Sequence, residues 1–202
     1  GFMAVGAFAT YKIMTFFPEL NIMIIVLLSG VITAFVGILF GLPSLRIKGF
    51  YLAVATLASQ FFLIWLFNKV PWFYNYSDTG QITVSERTMF GVAVTGANAP
   101  PYATYLFCLV LVVILGFAAK NMIRSKIGRS WMAIRDMDIA AEIIGVPPLK
   151  TKLSAFAISS FYIGIAGSLY FAVYLGALEV TESFDIMAIS FPVLFMIIIG
   201  GL

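Results

Sequence analysis

Between Ile22 and Leu42 the chain runs for 21 residues without one charged side chain. At roughly 1.5 Å per residue, a helix of that length covers the ~30 Å hydrocarbon core of a bilayer. Phe50 to Phe67, Tyr102 to Ala119 and Leu153 to Leu175 are three more uncharged runs of spanning length. Backbone groups in lipid must pair internally, so such runs are helices unless they close as a barrel. Barrel strands are about ten residues long with alternating polarity, and these runs do not alternate. Composition agrees: 62% of residues are hydrophobic and 10% charged, where a soluble domain carries about a quarter charged.

The expected fold is therefore all-α, a polytopic transmembrane helical bundle in one domain over residues 1–202. The chain opens on Gly1, without an initiator Met, in an apolar run that reaches Phe17 and is broken only by Lys12. It closes inside the run from Ile186 to Leu202. About six spans are expected, four complete and two terminal ones incomplete, as in a fragment of a longer polytopic protein. No basic region precedes the first run, which argues against a signal peptide.

Charge sets the orientation. The connectors are residues 18–21, 43–49, 68–101, 120–152 and 176–185, and they must alternate sides. Lys120, Arg124, Lys126, Arg129, Arg135, Lys150 and Lys152 lie in 120–152, and Arg46 and Lys48 in 43–49, so nine of the twelve basic residues share one side. The positive-inside rule makes 43–49 and 120–152 cytoplasmic and 68–101 external, in a multi-pass protein of the cell (inner) membrane.

Several chemistries lack their residues. Histidine is missing and Cys108 is the single cysteine, which removes His-dependent triads, zinc sites and an internal disulfide. The complete spans hold no charge, unlike proton-driven pumps and voltage sensors. They do hold Thr56, Ser59 and Gln60 in one span and Ser154, Ser159 and Ser160 in another. These fit either a hydroxyl- and amide-lined path for a neutral or zwitterionic solute or helix–helix hydrogen bonding. Gly37 with Gly41, and Ser160 with Gly164 and Ser168, repeat at four-residue spacing, which places each set on one face for close helix packing.

The cytoplasmic stretch from Gly128 to Gly145 is the most informative. Ala133, Met137, Ala140, Ala141 and Ile144 share one helical face, and Arg135, Asp138 and Glu142 the opposite one. The spacing predicts one amphipathic helix of about four turns, with Ser130 as N-cap, Gly145 just past its end and Pro147-Pro148 as a stop. Two uses fit: docking into a groove on a soluble partner, or lying on anionic lipid with Arg124, Lys126 and Arg129. On the external side, Pro71-Trp72-Phe73-Tyr74 reads as an aromatic anchor, and Ser77 to Gly80 and Gly96 to Pro101 as turns. No phosphate-binding Gly-x-x-x-x-Gly-Lys-Ser/Thr loop occurs, so any ATP must be bound by another chain.

At this cytoplasmic stretch the sequence resembles a known family. Gly128-Arg129, Ala133-Ile134-Arg135-Asp136, Ala140-Ala141 and Gly145 look like the coupling loop of ABC-importer permeases, and most closely the M-type permease subunit of branched-chain amino acid importers. Gly41 to Ala58, with its Leu45-Arg46, Gly49 and Tyr51, is similar to a second segment of that family. The start, Gly1-Phe-Met-Ala-Val-Gly, and the end, Gly200-Gly201-Leu202, also fit.

The resemblance implies a non-enzymatic pore-forming subunit. It would be served by cytoplasmic ABC ATPase subunits that carry the ATP, a second homologous permease subunit and an external solute-binding protein. This chain would bind no cofactor or metal, and nucleic acid is not among the implied partners. Arg129, Arg135, Asp138, Ala140, Ala141 and Gly145 would couple to the ATPase. Where importers of this kind carry Glu before the paired alanines, this chain has Ile139, beside Asp138; the outside loop also lacks the Gly-rich run common in the family. Urea and short-chain amide importers have closely similar permeases and form the nearest alternative. A channel or transporter driven without ATP is the alternative from another class. An intramembrane enzyme finds no paired base for a Ser nucleophile.

Overall fold

The computed structural model describes residues 1–44, 50–77, 79–89, 91–96, 99–184 and 190–200. Each of the six apolar stretches folds as a helix: α1 (Phe2–Phe16), α2 (Ile22–Ser44), α3 (Phe50–Lys69), α4 (Pro101–Arg124), α7 (Pro148–Leu169) and α9 (Phe191–Ile199). Two short helices, α5 (Lys126–Asp136) and α6 (Asp138–Ile143), lie between α4 and α7, and a single turn, α8 (Val180–Ser183), precedes α9. Among the described residues, Ile22–Pro43, Pro101–Arg124 and Pro148–Leu175 are long and apolar enough to cross a membrane. The chain is a helical membrane protein.

Local chemistry places the helix starts. Asn21 accepts a hydrogen bond from the Met23 amide at its side chain, 3.0 Å, and from the Ile25 amide at its carbonyl, 3.1 Å, which satisfies donors that open a helix. Pro101 and Pro148 stand in the first turns of α4 and α7, where a missing N–H costs nothing and φ is already helical. The α7 helix does not stop at Leu169 but widens into a π-helical segment, Tyr170–Leu175.

The bundle closes around α1, α2 and α7. Because lipid is as apolar as leucine, such helices gain stability from close backbone approach and not from burial alone. Small residues make that approach possible. A Cβ on Gly6 of α1 would lie 2.2 Å from the Gly164 carbonyl oxygen of α7, and one on Gly167 would lie 2.0 Å from the Met3 carbonyl oxygen. Thr10 of α1 donates to Ser168 of α7 at 2.7 Å, in full burial. Phe8 stacks on Phe67 of α3 at 4.5 Å between centroids. By contrast α4 buries only Phe107 and Leu111, and touches α7 through the Tyr162 hydroxyl, which donates to the Leu115 carbonyl at 3.0 Å.

Region 68–101 holds strands besides the expected aromatic anchor and turns: after a 3₁₀ turn at Pro71–Tyr74 come β1 (Ile82–Thr83), β2 (Arg87–Met89) and β3 (Val92–Thr95). The β2 and β3 strands form an antiparallel ribbon, and β1 pairs antiparallel with β4 (Ala177–Leu178) beyond α7. Side chains fasten this cap to the end of α1. Arg87 donates from Nη2 to the Met14 carbonyl at 2.9 Å, and the Lys12 ammonium donates to the Asn75 side chain and sits 4.2 Å from the Trp72 ring centroid.

One expectation needs correction: the stretch from Gly128 to Gly145 is two helices and not one. Met137 interrupts it with extended backbone, φ −152° and ψ 96°. Charge gives a reason: Asp136 closes α5, where a carboxylate opposes the helix dipole, and Asp138 opens α6, where it is favourable. Ser130 is not a cap but lies inside α5, donating to the Lys126 carbonyl at 3.0 Å; Ser125 holds the N-cap position. Arg46, Lys48, Asp78 and Asp185 lie outside the described residues.

Candidate functional site

The segment from Ser125 to Pro148 is held against the bundle on one side and left bare on the other. Gly128 permits the tight α4–α5 corner, since a Cβ there would lie 2.1 Å from the Ile123 carbonyl oxygen. One turn on, the Trp131 indole N–H donates to Ser154 of α7 at 2.9 Å, and that hydroxyl donates to the Thr151 carbonyl at 2.8 Å. Ile134 and Ala141 are buried.

The end of α6 is closed by a two-bond motif around Gly145. Gly145 N–H donates to the Glu142 carbonyl and Val146 N–H to the Ala141 carbonyl, both at 3.0 Å. This is a Schellman ending, which needs a left-handed residue after the cap; Gly145 supplies it with φ +88°. Pro147 and Pro148 follow, and the chain turns directly into α7.

Away from the bundle the segment bares both charged side chains on α5 and a group of aliphatic ones at the α6 tip. Ile139 is 78% exposed, Ile143 80% and Ile144 75%, grouped on a helix of six residues. Ala140 is exposed beside them, as are Arg129 and Arg135 on α5, whereas Ala141 faces inward. Arg135 donates from Nε to Asp136 at 2.9 Å. The backbone of Asp138 starts α6, and its side chain lies outside the described residues. The break at Met137 separates Ala133 from Ala140 and Ala141, so the smooth small-residue face expected of one helix does not exist. Neither Ile139 nor Ile143 is on the helical faces expected from the sequence, although their i, i+4 spacing marks a shared face.

The whole chain, residues 1–202, matches the family described as branched-chain amino acid transport system / permease component. The chain belongs to this permease family. It is 31% identical over 222 residues to the high-affinity branched-chain amino acid transport system permease protein LivM of Salmonella typhimurium, and equally to LivM of Escherichia coli. Each alignment covers 100% of this chain and 51% of the relative. A probable ABC transporter permease protein, y4mJ of Sinorhizobium fredii, is 28% identical over 173 residues, with 82% of this chain and 47% of that protein covered. The chain thus spans about half the length of the curated relatives it matches. No solved structure matches it.

Within the permease bundle, the polar residues of the spans fall into two places. Thr56 and Gln60 of α3 line a cavity of about 230 Å³ with Phe2, Leu63 and Phe156. There Gln60 donates its amide N–H to the Ser190 hydroxyl at 2.9 Å. Ser59 donates to its own helix at the Ala55 carbonyl, 2.8 Å, and Ser159 to the Phe156 carbonyl, 2.9 Å. Ser160 is buried on the α2 side of α7 against Gly37. Gly41 lies one turn along, with Phe156 and Leu153 of α7 next to it. Gly164 lies against Thr33, and Ser168 accepts from Thr10.

Proposed function

We propose that the chain forms the membrane-spanning part of a permease subunit in an ATP-driven, binding-protein-dependent importer of branched-chain amino acids. The family match over residues 1–202 carries this reading, and the printed names of the two LivM relatives support the substrate class. The domain is one bundle of six spans, with 43–49 and 120–152 in the cytoplasm, in the inner membrane of the cell. Its partners are cytoplasmic ABC ATPase subunits, a second homologous permease subunit and an external solute-binding protein. ATP stays on the ATPase, and this chain carries no cofactor.

Coupling runs through α5 and α6. The exposed Ile139, Ile143 and Ile144 give the ATPase an apolar surface to grip, Ala140 and Gly145 let it approach closely, and Arg129, Arg135 and Asp138 frame the contact. The Trp131–Ser154 bond and the Gly128 corner make the segment a rigid lever on α4 and α7, so movement at its tip shifts both spans. Thr56, Gln60 and Ser59 on α3, with Ser159 and Ser160 on α7, offer uncharged polar groups to a zwitterion crossing the bundle.

Uptake of labelled leucine into proteoliposomes containing the full-length permease, its partner permease, ATPase and binding protein tests the reading. ATP-dependent uptake that excess isoleucine blocks and excess urea does not is the expected result. Uptake indifferent to ATP would remove the importer mechanism, and competition by urea alone would move the substrate to amides.

A further inference from the structure

A slot of about 420 Å³ lies between α1, α2 and α3. To its lining α1 contributes Phe8 and Ala9, α2 Val36 and Leu39, and α3 Leu63 and Leu66. Aromatic rings prop α3 away from its neighbours: Phe62 meets Phe40 of α2 at 5.9 Å between centroids, and Phe67 meets Phe73 of the 3₁₀ turn at 4.8 Å. Phe16, Leu39 and Phe62 on the lining are exposed, so the slot is open along its side. It follows α1 from Val5 to Phe16, which is ~16 Å of helix. The hydrocarbon of one leaflet has the same depth, ~15 Å.

The lining decides what can fill it. Lys12 is the one charged residue among the described lining residues, and no hydroxyl, side-chain amide or carboxylate joins it there. A buried water needs about two to four polar partners, and an amino acid would leave its ammonium without an acceptor. A neighbouring span would cross both leaflets, whereas the slot is one leaflet deep. Left empty, the slot would forfeit dispersion contacts along its whole lining. At one end the Lys12 ammonium lies 4.2 Å from the Trp72 ring centroid and 5.8 Å from that of Phe16. Tryptophan rings settle at headgroup level, and long lysine stems carry their charge to that level along apolar surface.

We propose that this slot holds one acyl chain of a glycerophospholipid, with the headgroup phosphate beside Lys12 and Trp72. The described partners of the ammonium are the Asn75 side-chain oxygen and the two rings, all neutral. They stay in place, because an ammonium has three N–H donors and Asn75 takes one. The chain itself is held by the length and apolar lining of the slot and not by that cation. Under the orientation proposed above this end of α1 is external, so the lipid belongs to the outer leaflet. Together with the aromatic props, the chain sets the separation of α2 and α3.

Photocrosslinking in proteoliposomes of the full-length permease in its importer complex tests the site. The probe is phosphatidylethanolamine with a diazirine midway along one acyl chain, and labelled residues are located by mass spectrometry. Labelling at Ala9, Val36 and Leu66 should exceed that at Val31 and Phe35, which are exposed on α2. The expected ratio is roughly tenfold, equivalent to ~1.4 kcal/mol. Val36→Trp and Leu66→Trp fill the slot from different helices, and each should lower the ratio about fivefold by overpacking it. Slot labelling no higher than at Val31 and Phe35 in the unmodified complex would overturn the proposal without recourse to any variant. A ratio unmoved by both variants in assembled complexes would do the same. Labelling seen in the isolated permease and lost in the complex would give the slot to a partner span, which also overturns it. Leucine uptake is measured in the same vesicles. Its failure with slot labelling intact removes the importer reading and leaves the acyl-chain site standing.

Discussion

Gly37 of α2 and Ser160 of α7 lie so close that a Cβ on Gly37 would sit 2.3 Å from the Ser160 Oγ and 2.6 Å from its Cβ. The same seam continues at Gly164, where a Cβ would be 2.4 Å from the Thr33 Oγ1. These are contacts between helices distant in sequence, and the seam gains its stability from dispersion over closely matched surfaces.

Gly37→Ala should therefore destabilise the bundle by about 1–3 kcal/mol through overpacking. The neighbour is a side chain and not backbone, so Ser160→Gly should restore most of the loss when combined with it. A double-mutant cycle on thermal unfolding in detergent measures this. Strictly additive effects would mean the two positions are not in contact.

At Gly145 the constraint is conformational and not steric. Its φ is +88°, and nothing lies within 4 Å of a Cβ built there. Gly145→Val should weaken the α6 ending by about 1–2 kcal/mol, the cost of a left-handed non-glycine residue, and Gly145→Asn by less, since Asn tolerates that region. Hydrogen exchange at the Gly145 and Val146 amide positions reads the difference. Gly145→Trp should also abolish recovery of the ATPase with the permease while leaving membrane insertion unchanged. Full recovery with that variant would remove Gly145 from the contact.

The cap formed by residues 71–95 depends on two cations from opposite directions: Lys12 reaching up to Asn75 and Trp72, and Arg87 reaching down to the Met14 carbonyl. Hydrogen bonds to charged groups contribute about 1.5–3 kcal/mol. Lys12→Met should therefore speed hydrogen exchange across residues 70–77 by roughly tenfold or more. Protection unchanged in both Lys12→Met and Arg87→Met would show that the strands alone hold the cap.

The helices were legible in the sequence because charge is excluded from runs of spanning length, and lipid leaves the backbone few alternatives. Gly37 and Gly41, and Ser160, Gly164 and Ser168, were legible as stripes. Which helix faced which was not, because four-residue spacing describes one surface without its partner. The close approach of Gly6 to Gly164 involves a glycine outside those stripes. The break at Met137 was hidden because the apolar period continues on both sides of a single extended residue. The ribbons of 82–83 with 177–178 and 87–89 with 92–95 were hidden because strands of two to four residues carry too little alternation to read. In the polar set, Thr56 and Gln60 share a cavity and Ser160 faces a different helix, a division set by helix rotation.

Ile139 and Ile143 give the sharpest test of the coupling role proposed for α5 and α6. Both are about four-fifths exposed on a six-residue helix, and aliphatic side chains bared to that degree and grouped together mark a contact surface. Their neighbour Ala141 is buried and Gly145 closes the helix, so a polar substitution at the tip leaves the supporting contacts intact. Ile139→Asp with Ile143→Asp should keep the thermal stability of the isolated permease within about 0.5 kcal/mol, as surface changes do. The same pair should reduce ATPase co-purification by at least tenfold, equivalent to ~1.4 kcal/mol of binding. Lys120→Gln, on the same side but within α4, should do neither. If the double variant kept its ATPase and instead lost stability, the isoleucines would belong to the fold, and the contact would have to lie on α5 around Arg129 and Arg135.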